Sequence, residues 1–252
     1  MVQQQTLLRA FDDLLQPGRF KDYGPNGLQV EGRPDVRRIV SGVTASLALI
    51  EAAVQAQADA IFVHHGLFWR GQDGRVTGWM KRRLSVLLAH DINLFAYHLP
   101  LDAHPELGNN AQLAARLGLR TTGRFGDQEL GFLGEPEQRA GFADTAALGE
   151  HVAQVLGRAV VAVPGHPGPL ERVAWCTGGA QGYFEAAIAA GAQAFITGEI
   201  SEPQAHYARE CGVSFIACGH HASERYGAPA VAAHVAAQLG IEHLFIDLPN
   251  PA

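Results

Sequence analysis

Short runs of β-branched and aromatic residues alternate along the chain with segments whose apolar positions recur every three or four residues. Leu7, Leu8, Phe11, Leu14 and Leu15 line one helical face, and Pro17-Gly18 stops that helix. Downstream, the pattern predicts a strand at 38–43, a helix at 47–57, a buried strand at 60–63, a helix at 79–90 and a strand at 94–97. This order predicts βαβ units and a largely parallel sheet, because parallel neighbours need crossover connections, nearly always right-handed. The second half repeats the alternation, with strands at 172–176, 194–197 and 213–217 and helices at 183–190 and 202–211. A further helix, Thr145–Leu156, has Asp144 as N-cap and Gly157 as its stop. The PGHPGP stretch at 164–169 predicts a turn-rich loop, with His166 exposed in it.

The two halves also match residue by residue. EAAVQAQADAIFVHH at 51–65 lies over EAAIAAGAQAFITGE at 185–199, a shift of 134. NLFAYHLPLD at 93–102 lies over FIACGHHASE at 215–224, a shift of 122, so that His98 meets His220 and Asp102 meets Glu224. Both halves therefore end a buried strand with histidine and place a carboxylate four residues later. A tandem duplication of an α/β unit is the favoured reading. The glycine-rich, polar stretch at 121–131 predicts the boundary, giving a first unit over 1–124 and a second over 125–252. This division leaves the C-terminal segment able to pack back on the first unit.

The histidines carry the chemistry. His64-His65 closes the strand at 60–63, and because successive strand side chains point to opposite faces, both reach one site only at the strand's end. Gly66 permits the chain to turn there. Open parallel sheets bind ligands outside the carboxyl ends of their strands, where His64-His65, His98/Asp102 and His220/Glu224 all fall. Imidazole and carboxylate donors without cysteine suit zinc, iron(II), manganese or cobalt. Several histidines with two carboxylates exceed one four-coordinate ion and fit two ions roughly 3.5–4 Å apart. His98 is open to two roles, as a ligand or as a hydrogen-bonding and proton-transfer group beside the metals. Glu199 stands at the position equivalent to His65, facing the same cleft or serving as a helix N-terminal charge. Asn26, in DYGPNGLQVEG at 22–32, is by default a turn residue, and Asn109 and Asn110 are expected to cap the helix that runs to Leu117.

Bulk properties narrow the classes. Hydrophobic residues at 47% and charged residues at 17% describe a globular chain with a real core. A net charge of −6 gives no general signal for nucleic acid or an anionic membrane, and Lys81–Arg83 is the only short basic run. No signal peptide or bilayer-length apolar run is evident. The three cysteines show no zinc-knuckle spacing and read as thiols of a reducing compartment, so a cytoplasmic protein is expected. P-loop, GxGxxG and GxSxG elements are absent from any position that would give them meaning.

The blocks DYGPNGLQVEG, FVHHGLFW, YHLPLDAHPELGNNAQLA, ITGEIS and GHHASERYG occur in this order in the Nif-three-like (YbgI-type) proteins, and the sequence resembles that family nearly end to end. These proteins are also called GTP cyclohydrolase I type 2 homologues, or dinuclear metal centre hexameric proteins. The chain resembles their short form, without the inserted middle domain of longer members. The resemblance implies two similar, intertwined α/β domains with mostly parallel sheets, a homohexamer with metal sites facing an internal cavity, and two divalent ions per subunit. It implies His64, His65, Asp102, His220 and Glu224 as metal ligands, with His220 rather than His221 taken from GHHASE. The implied activity is a metal-dependent hydrolase in which metal-bound hydroxide opens the guanine imidazole ring of GTP at C8, with His98 or Glu199 moving protons. Phosphate-binding candidates are Arg70 and Lys81–Arg83 alone. The alternative is a metal-binding hexameric scaffold or regulatory protein without turnover.

Overall fold

A computed structural model of the protein describes residues 1–137 and 141–252. The chain forms two compact units, one of residues 1–108 and 227–249, the other of residues 109–226 and 250–252. The division thus falls at Gly108 and Tyr226, not at the polar 121–131 stretch. That stretch is the turn end of an antiparallel hairpin whose exposed strand face is polar, which is why it reads as a linker.

Unit 1 opens with β1 (Val2–Gln3), α1 (Gln4–Leu15), β2 (Gly27–Val30), β3 (Asp35–Val36), β4 (Arg38–Thr44), α2 (Leu47–Gln55) and β5 (Ala60–His65). It continues with α3 (Gly78–Ala89), β6 (Asn93–Ala96) and the short α4 (Leu99–Ala103). The chain then builds unit 2 from α5 (Asn109–Leu117), β7 (Leu119–Phe125), β8 (Gly131–Pro136), α6 (Thr145–Leu156), β9 (Val161–Val163) and β10 (Val173–Trp175). There follow α7 (Phe184–Ala189), β11 (Ala194–Thr197), α8 (Glu202–Cys211), β12 (Ser214–Ala217) and the short α9 (His220–Glu224). The chain then returns to unit 1 as α10 (Gly227–Leu239) and β13 (Glu242–Phe245).

The sheet of unit 1 has the order β13-β4-β5-β6-β2. All its pairs are parallel except β2 with β6. The sheet of unit 2 has the order β7-β8-β10-β11-β12-β9, with β10, β11 and β12 parallel and the flanking strands antiparallel. Each unit therefore contains three successive parallel strands joined by helices and followed by a five-residue helix, as the internal repeat predicts, and β13 adds a fourth parallel strand to unit 1. The antiparallel margins are an addition that the repeat did not announce.

Burial explains the layering. Phe11 of α1 packs on Phe62 of β5 at 4.5 Å and on Phe95 and Tyr97, with Val231 and Val235 of α10 in the same cluster. Leu49, Ile50 and Leu87 cover the opposite strand residues Val40, Ile61 and Leu94. The strands of unit 1 are buried on both faces, which is why they read as continuous apolar runs. Helix α6 has the predicted bounds, with the Asp144 side chain accepting from the Ala147 amide and Gly157 left-handed at φ 69°.

The two ends of the unit 1 sheet differ chemically. At the amino ends, Asn93 accepts from the Gly32 amide and the Gln4 side chain and donates to the carbonyls of Arg33 and Asp59. Asp59 accepts from Arg33 and from the amides of Arg37 and Arg38. These groups are saturated by structural partners. The carboxyl ends instead carry His64, His65 and His98. No helix among the described residues is long and apolar enough to cross a membrane.

Candidate metal centre

In unit 1, β5 extends through both His64 and His65, whose rings lie 4.4 Å apart. His64 is fully buried and His65 half-buried. Gly66 is needed for space rather than for a turn. Its φ is not positive, and a Cβ there would overlap the amide of Gln29, which accepts from the Leu67 amide at 2.7 Å.

His98 precedes α4 as its N-cap residue, and Asp102 lies on that helix, 7% exposed. Asp102 Oδ1 stands 3.5 Å from His64 Nε2. Ligand nitrogens of His64, His65 and His98 all fall within 4.8 Å of one another, a spacing able to hold a cation.

The anchoring of these rings shows which nitrogen faces outward. His64 Nδ1 meets the Tyr97 carbonyl at 3.2 Å, and His65 Nδ1 meets the Thr44 hydroxyl at 3.1 Å. His98 Nδ1 donates to Asp22 Oδ1 at 2.7 Å. Asp22 also accepts from the amides of Tyr23 and Leu99 and from Asn26, while the Asn26 carbonyl oxygen accepts from the His98 amide. Burial opposes the charged form of Asp22, but the His98 interaction, Asn26 and the Leu99 amide outweigh it and lower its pKa to about 2. Asp22 and Asn26 are therefore working parts of the site. DYGPN conceals this because the residues they hold lie more than 70 positions away.

Unit 2 gathers His220, Glu224 and Glu199. His220 Nδ1 lies 2.6 Å from Glu199 Oε1, and its Nε2 lies 3.2 Å from Glu224 Oε2. Glu224 is 3% exposed, whereas Glu199 is far more open and also accepts from Gln181. The nearby Glu224 carboxylate raises the His220 pKa, burial opposes it, and Glu199 adds to the rise, giving about 9. Glu199 thus lies against His220 and orients its imidazole. His221 instead uses its backbone amide to bind the carbonyl of Ala252.

A loop after β10 completes this group. Gly178 has φ +72°, and a Cβ on it would overlap Glu224 Oε1. Its amide donates to the Ser223 hydroxyl at 2.9 Å, and that hydroxyl donates to the His220 carbonyl at 2.8 Å. The Gly178-Gly179 pair, which follows the buried strand β10 after Cys176 and Thr177, was the available sequence signal for this cradle, and Ser223 had none. Asn110 does not cap its helix. Its side chain accepts from the Thr177 amide and lies against the Leu130 carbonyl.

The donor set fits divalent cations. Four imidazoles are each fixed through Nδ1, which leaves Nε2 of His64, His65 and His220 placed to bind a cation, the arrangement usual for histidine ligands, and Nε2 of His98 facing the same group. Two buried carboxylates, Asp102 and Glu224, supply the negative charge a cation needs, and a glycine leaves room for one of them. Unit 2 also has an open groove of about 820 Å³ lined by Arg120, Glu135, Arg172 and Gln193. Its described lining residues include no histidine or cysteine, and it lies toward the amino ends of β10 and β11, away from His220.

The Duf34/NIF3 (NGG1p interacting factor 3) family matches residues 2–251. A protein of Pseudomonas aeruginosa named GTP cyclohydrolase 1 type 2 homolog is 55% identical over 253 residues, covering 98% of each chain. One of the same name from Neisseria meningitidis serogroup A is 50% identical over the whole of both chains. Among solved structures, protein ybgI, described as of unknown function, superposes with a TM-score of 0.95 at 45% identity over the full length of both chains. TTHA1606 from Thermus thermophilus gives 0.86 at 33% identity, also over both full chains. The mixed α/β fold expected from the sequence is the fold of these relatives.

Proposed function

The chain belongs to the Duf34/NIF3 family, and on that premise we propose that it is a metal-dependent hydrolase whose ligands for two divalent cations are His64, His65, Asp102, His220 and Glu224. The observation that carries this reading is the common anchoring of His64, His65, His98 and His220 through Nδ1. Bound divalent cations supply Lewis acidity and lower the pKa of water to near neutrality. The chain's own residues do the rest. Asp22 holds His98 in the tautomer that carries its proton on Nδ1, so that Nε2 accepts a proton from the reacting centre and returns it to the leaving group. Asp102 and Glu224 balance the cations, and Gly178 and Ser223 keep His220 and Glu224 in place.

The relatives' name makes GTP the first substrate to test, with hydrolysis at C8 of the guanine ring and release of formate. The protein is proposed to act as a cytoplasmic homohexamer. Its three free cysteines suit a reducing compartment. Metal analysis of purified protein, followed by mass spectrometry of GTP and related nucleotides after incubation, tests the function. Two ions per subunit and a turnover lost in Asp102→Asn are expected. About one ion per subunit, or none, overturns the dinuclear centre. Full metal loading without turnover of any nucleotide removes the hydrolase and leaves a metal-binding scaffold or regulatory protein. One observation favours that second reading: within unit 1, the pocket at His64 and His98 is about 10 Å³, room for one water molecule.

A further inference from the structure

Two loops of unit 1 are joined side by side next to His98. The Arg70 amide donates to the Tyr23 carbonyl at 2.6 Å, and its guanidinium donates to the Asp22 carbonyl at 2.7 Å. Gln29 ties the same loops together by accepting from Leu67 and donating to the Pro25 carbonyl at 2.8 Å. This scaffold presents three side chains that the metal chemistry does not use.

Tyr23 is 60% exposed, although it is a large aromatic residue, and its ring stands edge-on to His98 at 6.0 Å. Trp69 is half-buried and stands at 89° to the His98 ring, 5.0 Å away, and 6.0 Å from His65. Arg70 is exposed, and among the described residues its guanidinium meets one main-chain carbonyl and no carboxylate. Two aromatic rings and, among the described residues, an arginine fork without an acidic partner thus border the imidazole cluster. Aromatic faces bind flat rings with little sequence or substituent demand, and an arginine fork recognises phosphate or carboxylate.

We propose that Tyr23, Trp69 and Arg70 form a recognition rim beside His98 for a flat heteroaromatic ring that carries an anionic group. The rim deepens the hydrolase reading and rests on it for its purpose, while its binding is measurable without turnover. The ring lies against Trp69 and Tyr23, and the anion meets Arg70. This arrangement leaves an edge of the ring turned to His98.

Calorimetric titration of full-length, metal-loaded protein with guanosine 5′-monophosphate, guanosine and ribose 5-phosphate tests the rim. Expected is binding of guanosine, with about tenfold tighter binding of the monophosphate and at least about tenfold weaker binding of ribose 5-phosphate. Trp69→Leu and Tyr23→Ser should weaken guanosine and its monophosphate, by about tenfold for Trp69, and leave ribose 5-phosphate unchanged. Trp69→Phe, which keeps an aromatic face, should retain most of the affinity. Arg70→Gln should bring the monophosphate down to the affinity of guanosine. Wild-type affinity for guanosine in both Trp69→Leu and Tyr23→Ser, or no guanosine binding by folded, metal-replete protein, overturns the proposal. A monophosphate preference that survives Arg70→Gln overturns the role given to Arg70. Metal content measured on the same samples reports on the centre separately. Ring and anion discrimination that persists in protein without two ions would uphold the rim while the metal reading fails.

Discussion

Asn in place of Asp22 removes one charge and leaves the shape of the side chain almost intact. In the native protein each carboxylate oxygen accepts a main-chain amide, Tyr23 on Oδ1 and Leu99 on Oδ2, besides a side-chain donor from His98 or Asn26. Whichever way the new amide turns, its NH₂ faces a backbone N–H that has lost its acceptor. The linkage gives the size of the effect. The Asp22 pKa falls from 3.8 to about 2, and at 1.36 kcal/mol per unit this corresponds to about 2 kcal/mol of stability at neutral pH. Because the folded value is the lower one, this stability is present above pH 3.8 and is lost as pH falls through 2. It should shrink to roughly 1 kcal/mol at pH 3. Urea unfolding of both proteins at pH 7 and pH 3 measures the difference, and ¹⁵N spectra of the imidazoles report whether His98 keeps its proton on Nδ1. A deficit below about 0.5 kcal/mol at pH 7, or one unchanged at pH 3, would refute the assignment of Asp22 as the carboxylate that fixes His98.

Gly178→Ala combines a left-handed φ with a Cβ placed on Glu224, and it should cost about 1–3 kcal/mol and lower the bound metal. Thermal unfolding with metal analysis checks this, and unchanged metal content would contradict the cradle. Ser223→Ala leaves the buried Gly178 amide without its acceptor at a cost of about 1–3 kcal/mol, seen as a lower urea midpoint. For His220 the folded pKa, about 9, lies above its ordinary 6.5, so its contribution is full below pH 6.5 and is lost as pH rises through 9. In chelator-treated protein that contribution should approach about 3 kcal/mol at low pH, measured as the stability gap to His220→Gln, and a gap that does not narrow between pH 6.5 and 10 would refute it. The same proton must leave when a metal binds, so metal affinity should rise with pH up to about 9, with proton release seen in buffers of different ionisation enthalpy.

Much of this organisation is written locally. Helices α6 and α8 and strand β11 occupy the predicted residues because their caps, stops and apolar periods lie within the segments themselves. His64, His65, Asp102, His220 and Glu224 stand out in the sequence as candidates because each closes, or shortly follows, a buried strand. The hairpin of β7 and β8 does not, since the exposed run Arg120, Thr121 and Thr122 has the composition of a linker. Asp22 was missed for a different reason. An acidic residue in a Gly-Pro-Asn turn signals nothing until the chain 76 residues later places an imidazole against it. The return of α10 and β13 to unit 1 is equally non-local, since β13 pairs with β4 across more than 200 residues.

The duplication conserved an arrangement while exchanging its supplier. His98, the residue before α4, and His220, the first residue of α9, hold corresponding places in the repeat, and each has Nδ1 fixed by a carboxylate, at 2.7 and 2.6 Å. In unit 1 that carboxylate comes from Asp22, ahead of β2. In unit 2 it comes from Glu199, which follows β11 at the place where unit 1 carries His65. The residue at that repeat position therefore differs in role, an imidazole of the group in unit 1 and an orienting carboxylate in unit 2. Unit 1 is left with three imidazoles and Asp102, and unit 2 with one imidazole and two glutamates. Nitrogen-rich groups favour zinc, iron(II) or cobalt, and oxygen-rich groups also accept manganese. The two halves of the repeat are thus similar in fold and unequal in donor chemistry, and the inequality traces to the pair His65 and Glu199.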